Sequence, residues 1–288
     1  MISGNAVNGI LLYDAGIANV VAGNLIGLDA TGTIPLGNGG DGVRIMAGTQ
    51  SSPQSSRIGS NLDGVSDAVE ANRIAFNAAA GVNVSDAGTT GNAIRRNFIY
   101  SNGGLGIDLS GGTQDTFGVT GNDPDDVDSG PNNLQNFPVL SLVEAYPANR
   151  LVGSLNTTAD TTFTIDVFAD SQPDASGFGE GKRYLSSFSV TTDAIGYASI
   201  DEWIVGSVVK GEAYSVTATA PNGDTSEFSE AELAVETFNS NSVINQFPPT
   251  YKVGLIGQPA TSCFCTEFRG PGRSGQRSDV STRVRLGE

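Results

Sequence analysis

The sequence predicts an all-β protein: a short right-handed parallel β-helix, then an antiparallel β-sandwich, then a disordered C-terminal tail. Three observations support this fold class. A spaced repeat fills roughly the first 136 residues, short alternating strands follow it, and the composition changes near residue 237. Only 16% of the 288 residues are charged, and 38 are glycine. Low charge with abundant glycine and asparagine favours a turn-rich β-protein over a helical one.

The repeat consists of an isoleucine, an asparagine and a glycine that opens a short apolar strand. In three copies the asparagine comes three residues after the isoleucine, and the glycine comes seven residues after the isoleucine. The remaining copy has nine extra residues between its isoleucine and its asparagine. The four copies are Ile2–Asn5–Gly9, Ile26–Asn38–Gly42, Ile74–Asn77–Gly81 and Ile99–Asn102–Gly106. Fixed spacing of this kind indicates a coiled repeat architecture.

One complete unit, from Gly81 to Gly106, has a period of 25 residues. Its short segments alternate apolar and polar residues, which is typical of a strand with one buried face. Three such strands describe one rung of a right-handed parallel β-helix, and about four rungs spaced ~4.8 Å apart give a coil ~20 Å long. We expect six apolar side chains to point into the coil: Val82, Val84, Ile94, Ile99, Ile107 and Leu109.

The repeat asparagines are expected to occupy equivalent turns of successive rungs. Asparagine tolerates left-handed backbone angles, which suits it to these turns. Stacked asparagine side chains can also hydrogen-bond along the stack. The sequence therefore predicts an asparagine ladder made of Asn5, Asn38, Asn77 and Asn102.

The repeat phrases from 23 to 32 and from 106 to 109 resemble those of right-handed parallel β-helix proteins of the pectin-lyase-like group. Similar repeats occur in large secreted or surface proteins of bacteria. The resemblance covers nearly half of the chain. It implies an extracellular or cell-surface location, with polysaccharide or cell-surface components as partners. Because the first copy starts at Ile2 with no visible signal peptide, we expect an N-terminally truncated protein.

We expect three regions along the chain. Residues 1–138 comprise the β-helix repeats and an acidic linker, of which 134–138 closes the last rung, since an open rung exposes unpaired strand edges. Residues 139–236 form a sandwich of six or seven strands. Its segments 176–182 and 225–229 resemble an immunoglobulin-like module that follows such repeats in bacterial surface proteins.

The tail, 237–288, differs from the body in charge. It carries a net charge of +3, against −19 for residues 1–236. Together with its proline-rich and Arg/Gly/Ser-rich stretches, this favours disorder. A reading-frame artefact is the alternative explanation of the abrupt change.

The composition excludes several function classes. There is no histidine, which removes Ser-His-Asp and Cys-His nucleophile systems. The net charge of −16 argues against nucleic-acid binding through phosphate neutralisation. No stretch approaches the ~20 apolar residues that a membrane-spanning helix needs. We expect a monomer.

The acidic linker contains the best candidate metal ligands. Asp123, Asp125, Asp126 and Asp128 supply hard oxygen ligands at close spacing, as Ca²⁺ prefers. An EF-hand is excluded, because the position of its bidentate glutamate is occupied by Phe137. Two interpretations remain open: a Ca²⁺ loop of another kind, or a solvated turn whose side chains cap their own backbone.

The resemblance also raises the question of catalysis. Pectate-lyase-like enzymes remove a proton with Arg or Lys while Asp-bound Ca²⁺ neutralises the uronate. The candidate bases are Arg44, expected to face outwards, and Arg95, but no aspartate cluster accompanies either on adjacent rungs. Asp86 and Asp108 are candidates for a hydrolytic pair, which needs carboxylates ~5–9.5 Å apart.

The favoured hypothesis is a non-catalytic extracellular or cell-surface repeat protein with an adhesive or structural role. The alternative is a Ca²⁺-dependent polysaccharide lyase or a glycoside hydrolase of pectin-lyase-like fold. Carbohydrate binding without turnover is a third hypothesis.

Overall fold

A computed structural model describes residues 1–146 and 148–237. Three parallel sheets form its first part and two further sheets its second, so the predicted all-β class, a parallel β-helix followed by a β-sandwich, is confirmed. The described residues from Met1 to Thr237 form a single compact unit. The predicted disordered tail lies outside the described residues, apart from its first residue.

The β-helix, which we call the coil, consists of three parallel sheets, and each turn of the chain adds one strand to each sheet. The sheet orders are β1-β4-β7-β10, β2-β5-β8 and β3-β6-β9, all parallel. A one-turn helix, α1 (Asp67–Glu70), precedes β6. The strands are β1 Ile10–Tyr13, β2 Val20–Val21, β3 Leu25–Ile26, β4 Val43–Met46, β5 Arg57–Gly59, β6 Arg73–Ala75, β7 Val82–Ser85, β8 Ala93–Arg95, β9 Phe98–Tyr100 and β10 Ile107–Ser110.

The core of the coil is a stack of identical or similar apolar side chains. All six residues predicted to point inwards are buried in one apolar cluster, so this prediction is confirmed. The repeat isoleucines lie in register, with Ile26 beside Ile74 and Ile74 beside Ile99. Parallel pairing therefore places each residue of the repeat on its own counterpart one rung away.

The predicted asparagine ladder is also confirmed. From Asn5 through Asn38 and Asn77 to Asn102, each side-chain amide donates to the Oδ1 of the next asparagine, at 2.8, 2.7 and 2.9 Å. The backbone N–H of each donor residue bonds to the same Oδ1. A second ladder was not predicted; it runs through Asn24, Asn72 and Asn97.

The repeat glycine is required by the close approach of neighbouring rungs. A Cβ placed on Gly42 would lie 2.6 Å from the carbonyl oxygen of Gly81, and a Cβ on Gly81 would lie 2.6 Å from that of Gly106. Both distances are far below van der Waals contact with backbone that belongs to the coil itself. A larger residue would therefore push the rungs apart, which explains the invariant third position of the repeat.

The sandwich consists of two four-stranded sheets, ordered β15-β12-β11-β18 and β14-β13-β16-β17. Pairing is antiparallel except between β11 and β18. Side chains from both sheets share one apolar core that includes Leu151, Phe163 and Tyr214. The strands are β11 Val139–Tyr146, β12 Arg150–Asn156, β13 Thr162–Asp170, β14 Arg183–Thr191, β15 Tyr197–Trp203, β16 Ala213–Thr219, β17 Glu232–Leu233 and β18 Val235–Glu236.

Candidate cation site and the capped end of the coil

The sandwich bonds to the open edge of all three sheets at the last rung of the coil. On β9, Ile99 exchanges two backbone hydrogen bonds with Gly181, at 2.7 and 3.0 Å. On β8, the N–H of Ile94 donates to the Oγ1 of Thr225 at 3.0 Å. On β10, the N–H of Leu109 donates to the carboxylate of Glu227 at 2.9 Å. Because unpaired strand edges are costly to bury, these bonds make the sandwich a cap for the coil.

The apolar core of the coil is closed at the same end. Phe168 and Phe228, which both belong to the sandwich, join the apolar cluster of the coil and pack edge to face at 5.2 Å. Leu134 of the linker is buried in this cluster as well. The segment 134–138, predicted to close the last rung, therefore shares that task with two sandwich residues.

Two buried glutamates cap backbone groups at this end. Glu180 accepts from the N–H of Ser101 at 2.6 Å and from that of Asn102 at 3.2 Å, so its carboxylate follows Asn102 as the final acceptor of the asparagine ladder. Glu227 accepts from Leu109 and from Thr120, whose N–H lies 3.0 Å away. Burial raises the pKa of Glu180 to about 7 and that of Glu227 to about 8, although the N–H donors oppose the shift.

A buried ion pair also joins coil and sandwich. The guanidinium of Arg95 on β8 bonds to both carboxylate oxygens of Asp166 on β13, at 3.1 and 3.3 Å. The Asp166 side chain is 0% exposed and that of Arg95 14%. Burial raises the pKa of Asp166, and the charge of Arg95 opposes that rise. Arg95, a candidate catalytic base, thus lies inside the junction and is committed to this pair.

The other three catalytic candidates lie on the outer surface of the coil. Arg44, whose side chain is one-third exposed (33%), pairs with Asp41 at 3.0 Å. Asp108 accepts from the amide of Asn83 at 2.7 Å, and burial raises its pKa. Asp86 accepts from the N–H of Ala47 at 3.2 Å. Asp86 and Asp108 share no hydrogen-bonding residue in the described part of the chain.

Register places Arg44 and Asp108 in one row. Arg44 pairs with Asn83 of the next rung, and Asn83 pairs with Asp108 of the rung after that. The two charged residues are therefore two rungs, or ~9.6 Å, apart along the sheet.

The acidic linker brings together three of its four predicted ligands. One carboxylate oxygen from each of Asp123, Asp126 and Asp128 lies within 4.8 Å of the others. Asp125 does not join them, and its backbone N–H donates to the side chain of Asn156 at 3.0 Å. The candidate cation site therefore comprises Asp123, Asp126 and Asp128.

The electrostatics of this site fit a hard cation. Burial, reinforced by the charges of Asp123 and Asp128, raises the pKa of Asp126 to about 6. The Oδ1 atoms of Asp123 and Asp128 are buried without a hydrogen-bond donor among the described residues. Ca²⁺ takes six to eight oxygen ligands and suits such acceptor-only groups. Asp126 is positioned for this by bonds from Asn136 N–H and the hydroxyl of Thr157.

Calcium is expected to raise the melting temperature if the linker binds it. At ten times its dissociation constant, Ca²⁺ contributes ~1.4 kcal/mol, or ~3–5 °C for a unit of this size. The measurement is thermal unfolding in EDTA and in millimolar Ca²⁺. Asp126→Asn/Asp128→Asn should abolish the shift, whereas the matched control Asp125→Asn should retain it. A melting temperature that Ca²⁺ leaves unmoved in the unsubstituted protein would leave the solvated turn as the correct interpretation.

Comparison with known proteins adds no relative: no protein-family model and no curated protein matches the chain. The pectin-lyase-like resemblance thus stands on the repeat phrases alone and the immunoglobulin-like one on segments 176–182 and 225–229, while the all-β fold with parallel and antiparallel sheets is shown. No described helix has the length and apolar character that crossing a membrane requires.

Proposed function

We propose that this protein is a non-catalytic structural or adhesive element of an extracellular or cell-surface repeat protein. The observation that carries the proposal is the closure of all three sheets of the coil by the sandwich. Hydrogen bonds between the last rung and Gly181, Thr225 and Glu227 satisfy strand edges that would otherwise be unpaired at this end of the coil. A coil that is capped in this way is rigid and can present its outer face to partners, and the sandwich supplies the cap.

The placement of charged side chains supports a role without turnover. Arg95 is enclosed in the junction with Asp166, and Arg44 is neutralised by Asp41. A lyase base must lie within hydrogen-bond reach of the proton that it removes, whereas both of these side chains are held by carboxylates. Asp86 and Asp108 engage different neighbours, Ala47 and Asn83. The extracellular setting follows from the resemblance of the repeats.

The alternative, a Ca²⁺-dependent lyase, draws on the row from Arg44 to Asp108 and on the acidic linker. Incubation with polygalacturonate or alginate plus Ca²⁺, followed by ultraviolet absorbance of unsaturated product, separates the two functions. We expect no product. Turnover that Arg44→Ala abolishes and Arg57→Ala preserves would overturn the non-catalytic proposal. Arg57 is a fitting control because it also lies on the coil and is ion-paired, with Glu70 at 2.9 Å.

A further inference from the structure

A groove of about 380 Å³ opens where the third sheet of the coil meets the sandwich. The coil lines it with Arg73 on β6 and with Phe98 and Tyr100 on β9. The sandwich lines it with side chains that include Asp170, Lys182 and Arg183. Its volume falls in the ~300–1,000 Å³ range of small-molecule sites. We call this feature the junction groove.

The junction groove contains the two basic side chains that have no ion-pair partner in the described part of the chain. The described residues contain nine Lys and Arg, of which seven form ion pairs. The two without an ion-pair partner in the described chain are Arg73 and Lys182, and both line the groove. Residues 1–236 carry a net charge of −19, so carboxylates that could pair with these two cations are abundant. Two unpaired cations at one groove therefore point to an external anion.

Aromatic rings hold these two cations in place without cancelling their charge. The Cζ atom of Arg73 lies 5.5 Å from the centroid of Phe98, and the Nζ atom of Lys182 lies 5.6 Å from that of Tyr100. In such cation–π contacts the ring attracts the cation electrostatically, and the cation keeps its full charge. Phe98 and Tyr100 are two residues apart on one strand, so the rings under the cations are spaced by ~6.6 Å. That spacing matches a ligand about one sugar ring long.

The remaining polar groups favour a hydroxylated anion over a polyphosphate. Asp170 presents a carboxylate to the groove, and Glu212 lies there paired with Arg183. A carboxylate beside the bound group repels a densely charged ligand but accepts hydrogen bonds from hydroxyl groups. The Tyr100 hydroxyl has no hydrogen-bond partner among the described residues and can supply one more contact.

We propose that the junction groove binds a short anionic saccharide, with its carboxylate or sulfate ester held by Arg73 and Lys182. The proposal rests on the adhesive role and gives it a ligand class. Outside the groove the acidic body repels a long polyanion, although at 0.15 M salt this repulsion is screened beyond ~8 Å. Short ligands and chain ends are therefore the expected occupants.

Calorimetric titration of the full chain with four probes tests the proposal. The probes are digalacturonate, monosulfated galactobiose, uncharged galactobiose and inorganic sulfate. We expect at least one anionic disaccharide to bind at least tenfold more tightly than galactobiose and inorganic sulfate. Binding of the carboxylated or of the sulfated probe alone supports the proposal and identifies the anion.

The double substitution Arg73→Gln/Lys182→Gln should weaken that binding at least tenfold and lower the melting temperature by only a few degrees, because it removes two exposed cation–π contacts. Arg150→Gln, which removes an exposed cation elsewhere on the sandwich, should bind normally. Absence of binding by both anionic disaccharides, equal binding by the double variant, or equal affinity for inorganic sulfate would overturn the saccharide site. Such a failure is distinct from polysaccharide turnover, which would instead remove the non-catalytic function.

Discussion

Replacement of Arg95 by alanine is expected to lower the free energy of unfolding by ~3–5 kcal/mol, the range for breaking one side of a buried ion pair. Asp166 is fully buried and receives both guanidinium bonds from Arg95. Without Arg95, its carboxylate keeps the desolvation that already raises its pKa and loses the cation that opposes it. Urea denaturation of the two proteins at neutral pH gives the difference.

Arg150→Ala is the matched control. Arg150 forms a pair of the same two-bond geometry with Asp201, but this pair is exposed. Exposed pairs contribute ~0–1 kcal/mol, so the loss should be several-fold smaller. The Arg95→Ala deficit should also shrink as the pH falls, because a protonated Asp166 carries no charge to be stranded. Equal losses in the two variants would show that the junction pair is not buried in solution.

Replacement of Glu227 by alanine is expected to cost ~2–5 kcal/mol. The substitution leaves the backbone N–H groups of Leu109 and Thr120 without their acceptor. Each buried donor that loses its partner costs ~1–3 kcal/mol. Glu230→Ala, an exposed substitution in the same segment, should cost far less. Denaturant unfolding measures both.

The pH dependence of stability has a defined sign at Glu227. Its pKa is about 8 in the folded protein, raised by burial from an ordinary 4.5, so the folded state keeps a proton that the unfolded state has released. The stabilisation is full below pH 4.5 and is lost as the pH rises towards 8. The stability lost across this range is on the order of 5 kcal/mol. Glu180, with a folded pKa of about 7, acts in the same direction.

Glu227→Gln cannot ionise and should flatten this dependence. Urea unfolding at pH 5 and at pH 9 gives the two slopes. The variant should gain stability relative to the unsubstituted protein between these values. An unchanged slope would mean that Glu227 does not titrate as a buried group.

The coil could be predicted because its constraints repeat along the chain. Gly42 and Gly81 are fixed by carbonyl oxygens of the next rung, and Asn77 by its neighbours in the ladder. Because these contacts recur from rung to rung, the residues that make them recur at a fixed spacing in the sequence. The second ladder could not be predicted because two insertions, the nine residues before Asn38 and the segment that contains α1, place Asn24 and Asn72 48 residues apart. Alternation and turn residues predict a sandwich of six or seven strands, whereas the structure has eight among the described residues, because β17 and β18 are two residues long and too short to show alternation.

The part that the sandwich plays in the cap could not be predicted, since its contacts join distant segments through residues that are usually exposed. Glu227 lies 118 residues from Leu109, and Arg95 lies 71 from Asp166. Nothing local distinguishes a buried glutamate from a solvated one. The only signal was the resemblance of segments 176–182 and 225–229, which contain Glu180 and Glu227. Within the acidic linker, Asp123, Asp126 and Asp128 come together and Asp125 does not, an arrangement that spacing along the chain does not show.

Hydrogen exchange of the last-rung amides tests most directly whether the sandwich completes the coil. The amides of Ile94, Ile99 and Leu109 all donate to sandwich residues. We predict that they exchange with the same opening free energy as the core amides of β16, and that Phe163→Ala in the sandwich core lowers both sets equally. Rapid exchange of the three amides while β16 stays protected would contradict the claim that the sandwich completes the coil. The claim would equally be contradicted if Phe163→Ala left the protection of the three amides unchanged.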